Sequence, residues 1–171
     1  TLFNDEVVSH LPPRSKPSHF QNILHGLQDM EFKGVTRVED VVGNLIERLP
    51  GRGMLILVSD LLTREDDVFK TLKMLKSRGL EVILFHVLHP DEVTLPFEGD
   101  LVFESLEDDP PLGLDPFDVR QQYQQAIQEQ IDFYKKNCPT LGIDYLFLET
   151  TTPLEQALRY YLLRRKSLQK I

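Results

Sequence analysis

The residues most able to do chemistry in this chain are polar side chains that directly follow apolar runs. Ser59 and Asp60 come immediately after the run Met54 to Val58. Five successive apolar residues predict a strand buried on both faces, as in parallel sheets that are covered by helices. Ligands and metals bind at the carboxyl ends of such strands. Asp60 is therefore a candidate metal ligand, and the alternative is that it caps the following helix or binds loop amides.

Two further apolar runs end in the same way. Residues Glu81 to Leu88 predict a second buried strand, and Asp144 to Leu148 predict a third. The polar side chains at their carboxyl ends are His89, Asp91, Glu92, Glu149, Thr150 and Thr151. Oxygen ligands from Asp, Ser and Thr are those that Mg²⁺ takes, usually with several waters retained. His86 lies within the second strand and is predicted to be a core histidine.

Thr36 is a further candidate because it begins a predicted helix, and we expect it on the same edge of the sheet. The spacing of Thr36 and Glu39 also fits a capping box, which explains the threonine without any metal. The residues alone leave both interpretations open.

The elements that position these residues alternate along the chain. Helices are predicted to begin at Ser18, Thr36, Thr63, Asp115 and Thr152, the third of them ending at Gly79. A short outer strand is expected at Leu101 to Phe103. Strands that alternate with helices imply right-handed crossovers and a mainly parallel sheet with helices on both faces. The predicted fold class is therefore α/β.

Length, charge and cysteine content exclude several classes of protein. The 171 residues suit one domain, and the net charge of -8 argues against a nucleic-acid surface. No apolar run approaches the roughly 20 residues that span a bilayer. The single cysteine, Cys138, excludes an intrachain disulfide and is predicted to be buried on a helix stripe. These features fit a cytoplasmic location. The phosphate-loop, dinucleotide, zinc-protease and serine-hydrolase motifs are absent.

Several segments together resemble a known family. They are TLFNDEV with LPPRS, GVTRVEDVV, MLILVSDLL, VILFHVLHPDEVTLPF, FESLED, the helix start DP-x-x-VR-x-x-Y, and DYLFLETTTPLEQALRYYLLRR. In this order, over nearly the whole chain, they resemble the carboxyl-terminal part of a bacterial family of unknown function (DUF number fifty-eight). Members of that family contain a von Willebrand factor A-like domain.

The resemblance implies a Rossmann-like, three-layer von Willebrand factor A-like fold with a metal-ion-dependent adhesion site. Such a site combines a D-x-S-x-S loop, a threonine and an aspartate, and by position Thr36 and Asp60 would be the last two, holding Mg²⁺. Leu61 stands where the family usually has glycine, and D-x-S-x-S is absent. In the family that motif lies upstream of the segment corresponding to Thr1. We therefore expect residues 1–171 to be one amino-terminally truncated domain that lacks its first, central strand and part of the metal site.

The resemblance also implies a function. The family is associated with MoxR-type AAA+ ATPases, so the leading hypothesis is a non-catalytic protein-interaction module that acts in assembly or maturation of other proteins. One alternative is a Mg²⁺-dependent hydrolase or phosphotransferase that uses Asp60 with His89, Asp91 or Glu149. Another is a scaffold that binds no metal.

Overall fold

The computed structural model describes residues 2–3, 7–12, 14–28, 53–62, 64–104 and 110–168. Its strands are β1 Leu2–Phe3, β2 Val7–Ser9, β3 Gly53–Ser59, β4 Leu80–Leu88, β5 Leu101–Phe103, β6 Leu112–Leu114 and β7 Asp144–Glu149. Its helices are α1 Pro17–Gln28, α2 Glu65–Ser77, α3 Pro90–Thr94, α4 Pro116–Asn137 and α5 Leu154–Leu168, with a turn of 3-10 helix at Cys138–Leu141. Among these residues, no helix is both long and apolar enough to cross a lipid bilayer.

The three buried strands predicted from the sequence form one parallel sheet in the order β3-β4-β7. Ser59 pairs with His86, and Leu88 pairs with Glu149. Because all three strands run the same way, their carboxyl ends meet at one edge. The predicted outer strand at Leu101–Phe103 is also present, and it pairs antiparallel with β6 in a separate two-stranded sheet.

Helices pack on both faces of the parallel sheet, which confirms the α/β fold class. On one face, Leu72 of α2 and Tyr134 of α4 share a core with Leu84 of β4 and other buried residues. On the opposite face, Tyr161 of α5 packs against Ile83 and Leu146. This layering is compatible with a Rossmann-like sandwich.

The strand that precedes Asp60 departs from the prediction. Leu57 of β3 is buried, yet Met54, Ile56 and Val58 on the other face of the strand are 50%, 54% and 60% exposed. The prediction that β3 is buried on both faces is therefore wrong for this structure. Among the described residues, the core cluster around Tyr161 of α5 contains residues of β4 and β7 and none of β3.

Helix ends follow local chemistry in part. Asp115 caps α4 as predicted, since its Oδ1 accepts from the Phe117 amide at 2.9 Å. Gly79 follows the end of α2 with a φ of 81°, a backbone conformation that suits glycine. Thr63 lies outside the described residues, and the N-cap of α2 is Arg64, which makes no side-chain capping bond.

Candidate functional site

Asp60 lies one residue beyond β3 and is exposed at the carboxyl edge of the sheet. Its Oδ1 accepts a hydrogen bond from the Leu62 amide at 3.3 Å. The bond closes a local turn of the Asx type and does not reach helix α2, whose N-cap is Arg64. Because the residue is exposed, its carboxylate is accessible to a cation from solvent.

The residue after Asp60 has an unusual backbone. Leu61 has a φ of 57°, in the left-handed region, and its side chain is completely buried. A side chain with a Cβ atom pays about 1–2 kcal/mol in that region. The conformation is held by a bond from the Leu61 amide to Ser59 Oγ at 3.1 Å and by packing in the core. Such backbone strain concentrates at functional sites and persists where the surroundings determine it.

A third contact with the turn comes from α4. Gln130 donates from Nε2 to the carbonyl oxygen of Leu61 at 2.8 Å, and its side chain is only 9% exposed. Gln130 was not among the site residues predicted from the sequence. The feature of the sequence that indicates its burial is its helical spacing from Ile127 and Tyr134. This spacing places a polar residue on the apolar face of α4.

His86 lies beneath the turn and is completely buried, as predicted for a core histidine. Its Nδ1 is 2.9 Å from the Tyr145 hydroxyl, and its ring contacts the rings of Tyr134 and Phe147 edge-on. Burial lowers the pKa of His86 to about 4. The backbone of Asp60 and the negative charge of its side chain act in the opposite direction and raise this pKa, but by less. The imidazole is therefore neutral at physiological pH.

The same buried region contains further polar groups. Nε2 of His86, Oε1 of Gln130 and the Tyr134 hydroxyl have no hydrogen-bond partner within the described ranges. Burial raises the pKa of Tyr134 above its ordinary value and that of the Cys138 thiol to about 12. Cys138 is completely buried, which confirms the prediction of a buried thiol.

The polar residues after β4 serve a local structural purpose. His89 is the N-cap of α3, and its Nδ1 accepts from the Asp91 amide at 3.2 Å. The His89 amide in turn donates to Oε2 of Glu92 at 2.5 Å. This reciprocal arrangement is a capping box with histidine in the cap position, which gives the side chains of His89 and Glu92 a local role, while Asp91 contributes its backbone amide.

The residues after β7 do not complete a cluster with Asp60. Glu149 is the last residue of β7, and the amide of Thr150 donates to the Leu88 carbonyl at 3.0 Å. Thr151 is exposed in the turn that follows. Across the part of the chain that the structure describes, no group of three or more His, Cys, Asp and Glu side chains is arranged to hold a metal. In the described ranges, Asp60, His89, Asp91 and Glu149 therefore do not come together as one such group.

The fit of this edge to an adhesion-type cation site is partial. Thr36, the other predicted ligand, lies outside the described residues. Asp60 supplies an accessible carboxylate, which is the donor chemistry that Mg²⁺ prefers. Asp60 fits one ligand position of such a site, and the described residues do not by themselves form a complete ligand set.

The parallel sheet, with helices on both faces and a polar turn at its carboxyl edge, is an α/β arrangement compatible with a Rossmann-like sandwich. A family described as "Protein of unknown function DUF58" matches residues 1–132, which is more than half of the chain. The chain therefore belongs to the DUF58 family. Neither a curated protein nor a solved structure matches it.

Proposed function

We propose that this chain is a non-catalytic protein-interaction module in which Asp60 is one ligand of a divalent cation. The observation that carries the proposal is the turn from Ser59 to Leu62, which presents an exposed carboxylate at the ligand-binding edge of a parallel sheet. Asp60 does not cap α2, whose N-cap is Arg64. Helix capping therefore does not account for a turn in which Leu61 is held in a left-handed backbone conformation.

The cation in this proposal is Mg²⁺. Asp60 and Thr36 are its ligands from this chain, and the family resemblance implies further ligands from a D-x-S-x-S loop. When bound, the cation would supply an open coordination position for a carboxylate of the partner protein. The part of this chain is to hold the Asp60 carboxylate in a fixed direction and to leave it accessible.

The partner class that we propose is a MoxR-type AAA+ ATPase, with a role in assembly or maturation of other proteins. Its support is the resemblance described above together with membership of DUF58. The hydrolase alternative, which uses Asp60 with His89, Asp91 or Glu149, has less support, because the His89 side chain already caps α3.

Calorimetric titration of the full natural chain with Mg²⁺ and with Mn²⁺ tests the cation site. The informative variant is Asp60→Asn, because an asparagine oxygen can still accept from the Leu62 amide while the negative charge is lost. Asp132→Asn is the matched control, since Asp132 is exposed on α4 and its carboxylate lies 4.0 Å from the Lys135 ammonium group.

We expect saturable binding to the natural chain and to Asp132→Asn, and loss of binding in Asp60→Asn. Equal binding by all three proteins would mean that Asp60 is not a ligand, and no binding by the natural chain would favour the metal-free scaffold. For the partner, binding to the ATPase is expected in Mg²⁺ and not in EDTA, and Asp60→Asn should abolish it.

A further inference from the structure

Gln130 is a buried polar residue whose position core packing does not explain. Its side-chain oxygen has no hydrogen-bond partner among the described residues. Burying an unpaired carbonyl oxygen is unfavourable, and an apolar side chain of similar volume would avoid that penalty. The compensation visible in the structure is the bond from Nε2 to the Leu61 carbonyl oxygen, which joins residues 69 positions apart in the sequence.

The bond reaches the turn at its most constrained point. The Leu61 amide donates to Ser59 Oγ, the Leu61 side chain is buried in the core, and Gln130 holds the carbonyl oxygen. The amide, the side chain and the carbonyl oxygen of Leu61, whose φ is 57°, are therefore all held in place. Since Asp60 is joined to Leu61 by a planar peptide bond, fixing Leu61 restricts the directions in which the Asp60 carboxylate can point.

We propose that Gln130 is a positioning residue, which holds Leu61 in the left-handed conformation and thereby orients the Asp60 carboxylate. The expected effect of Gln130 on cation affinity rests on the proposed function, whereas its expected effect on the geometry of the turn does not.

The chain offers a control on the same helix, whose bond is exposed whereas that of Gln130 is buried. Gln124 of α4 donates from Nε2 to the Thr94 carbonyl oxygen at 2.5 Å, in the segment that follows β4. Both glutamines thus bind a backbone carbonyl beyond the end of a strand, and only Gln130 binds the Asp60 turn. A general effect of losing such a bond should appear in both variants, and a positioning effect only in one.

The experiment compares Gln130→Met and Gln124→Met in the full natural chain. Methionine keeps the length and removes the amide donor, and Gln130→Leu is a second variant in case methionine destabilises the fold. Three measurements are made: amide hydrogen exchange at Leu61 and Leu62, the backbone coupling constant that reports φ of Leu61, and the dissociation constant for Mn²⁺.

In Gln130→Met we expect exchange at Leu61 and Leu62 to accelerate about fivefold, the factor that corresponds to loss of one ordinary hydrogen bond. The coupling constant of Leu61 should change, and the Mn²⁺ dissociation constant should rise by about the same factor. Gln124→Met should match the natural chain in all three measurements. This pattern in a fully folded variant supports the inference.

The failures of the two proposals are distinguishable. If the natural chain binds no Mn²⁺, the proposed function fails, and exchange and coupling at Leu61 alone decide the role of Gln130. If exchange and coupling at Leu61 are the same in folded Gln130→Met as in the natural chain, Gln130 does not position the turn. Equal changes in both glutamine variants would also overturn the inference.

Discussion

The left-handed backbone at Leu61 makes an unusual prediction about the order of two substitutions. Leu61→Ala and Leu61→Gly both remove a completely buried side chain, so the loss of packing is similar in the two variants. They differ in the backbone, because alanine keeps the steric cost of a φ of 57° and glycine does not. At this position we expect the glycine variant to be at least as stable as the alanine variant.

The magnitudes follow from the burial and the backbone. Removing the Leu61 side chain should lower the free energy of unfolding by about 3 kcal/mol in either variant. Glycine then gains about 1–2 kcal/mol from relief of strain and loses about 0.5–1 kcal/mol through the greater entropy of its unfolded chain. The net advantage of Leu61→Gly over Leu61→Ala is about 0.5 kcal/mol.

Leu72 provides the matched comparison. It is completely buried in the same core but lies within helix α2, where the backbone is right-handed. Here Leu72→Gly should be less stable than Leu72→Ala by about 1 kcal/mol. The glycine-minus-alanine difference should therefore differ by about 1.5 kcal/mol between the two positions.

Urea unfolding of the four variants, followed by circular dichroism, measures these differences from the shifts in midpoint at constant slope. If glycine is less stable than alanine by the same amount at both positions, the backbone of Leu61 is not left-handed. The proposed constraint on Asp60 would then lose its structural basis.

Two other predictions concern His86 and the cap of α4. Burial lowers the pKa of His86 from 6.5 in the unfolded chain to about 4 in the fold, so the folded state favours the neutral imidazole. The contribution of His86 to the free energy of unfolding is therefore complete above pH 6.5 and is lost as the pH falls towards 4. Between pH 7 and pH 5 we expect the free energy of unfolding to fall by at most about 2 kcal/mol. The His86→Gln variant should not show this loss. An equal dependence of the free energy of unfolding on pH in both proteins would contradict the lowered pKa of His86. Asp115→Ala should lower the free energy of unfolding by about 1 kcal/mol through loss of the bond to the Phe117 amide. Asp118→Ala, in the same first turn, is the control and should cost less than about 0.5 kcal/mol in urea unfolding, so equal losses would argue against capping.

Local sequence chemistry predicted most of the described fold. The apolar runs that become β3, β4 and β7 alternate with helices whose caps and apolar stripes are visible in the residues. Right-handed crossovers then require a parallel sheet, and the structure confirms it. The strand at Leu101–Phe103 was also predicted, but its pairing partner was not, because the pairing of short strands depends on contacts outside them.

The candidate site was predictable only in outline. Asp60 at the end of an apolar run was enough to propose a ligand edge, while its role as a ligand stays a prediction. His89, Asp91 and Glu92 were also named as polar residues at a strand end, and their bonds in the cap of α3 appear only in three dimensions. The helical spacing of Gln130 hinted at burial, yet its partner lies 69 residues away.

The sequence by itself determined the α/β class and the position of Asp60 at the end of a strand, because period, caps and strand ends are local properties. The tertiary structure decided that Met54, Ile56 and Val58 are exposed, since burial depends on what packs against that face of β3. It also decided that Leu61 adopts a left-handed backbone held from α4. A leucine has no intrinsic preference for that conformation, so the bond to Ser59 needs the contacts from the core and from α4 to stabilise it.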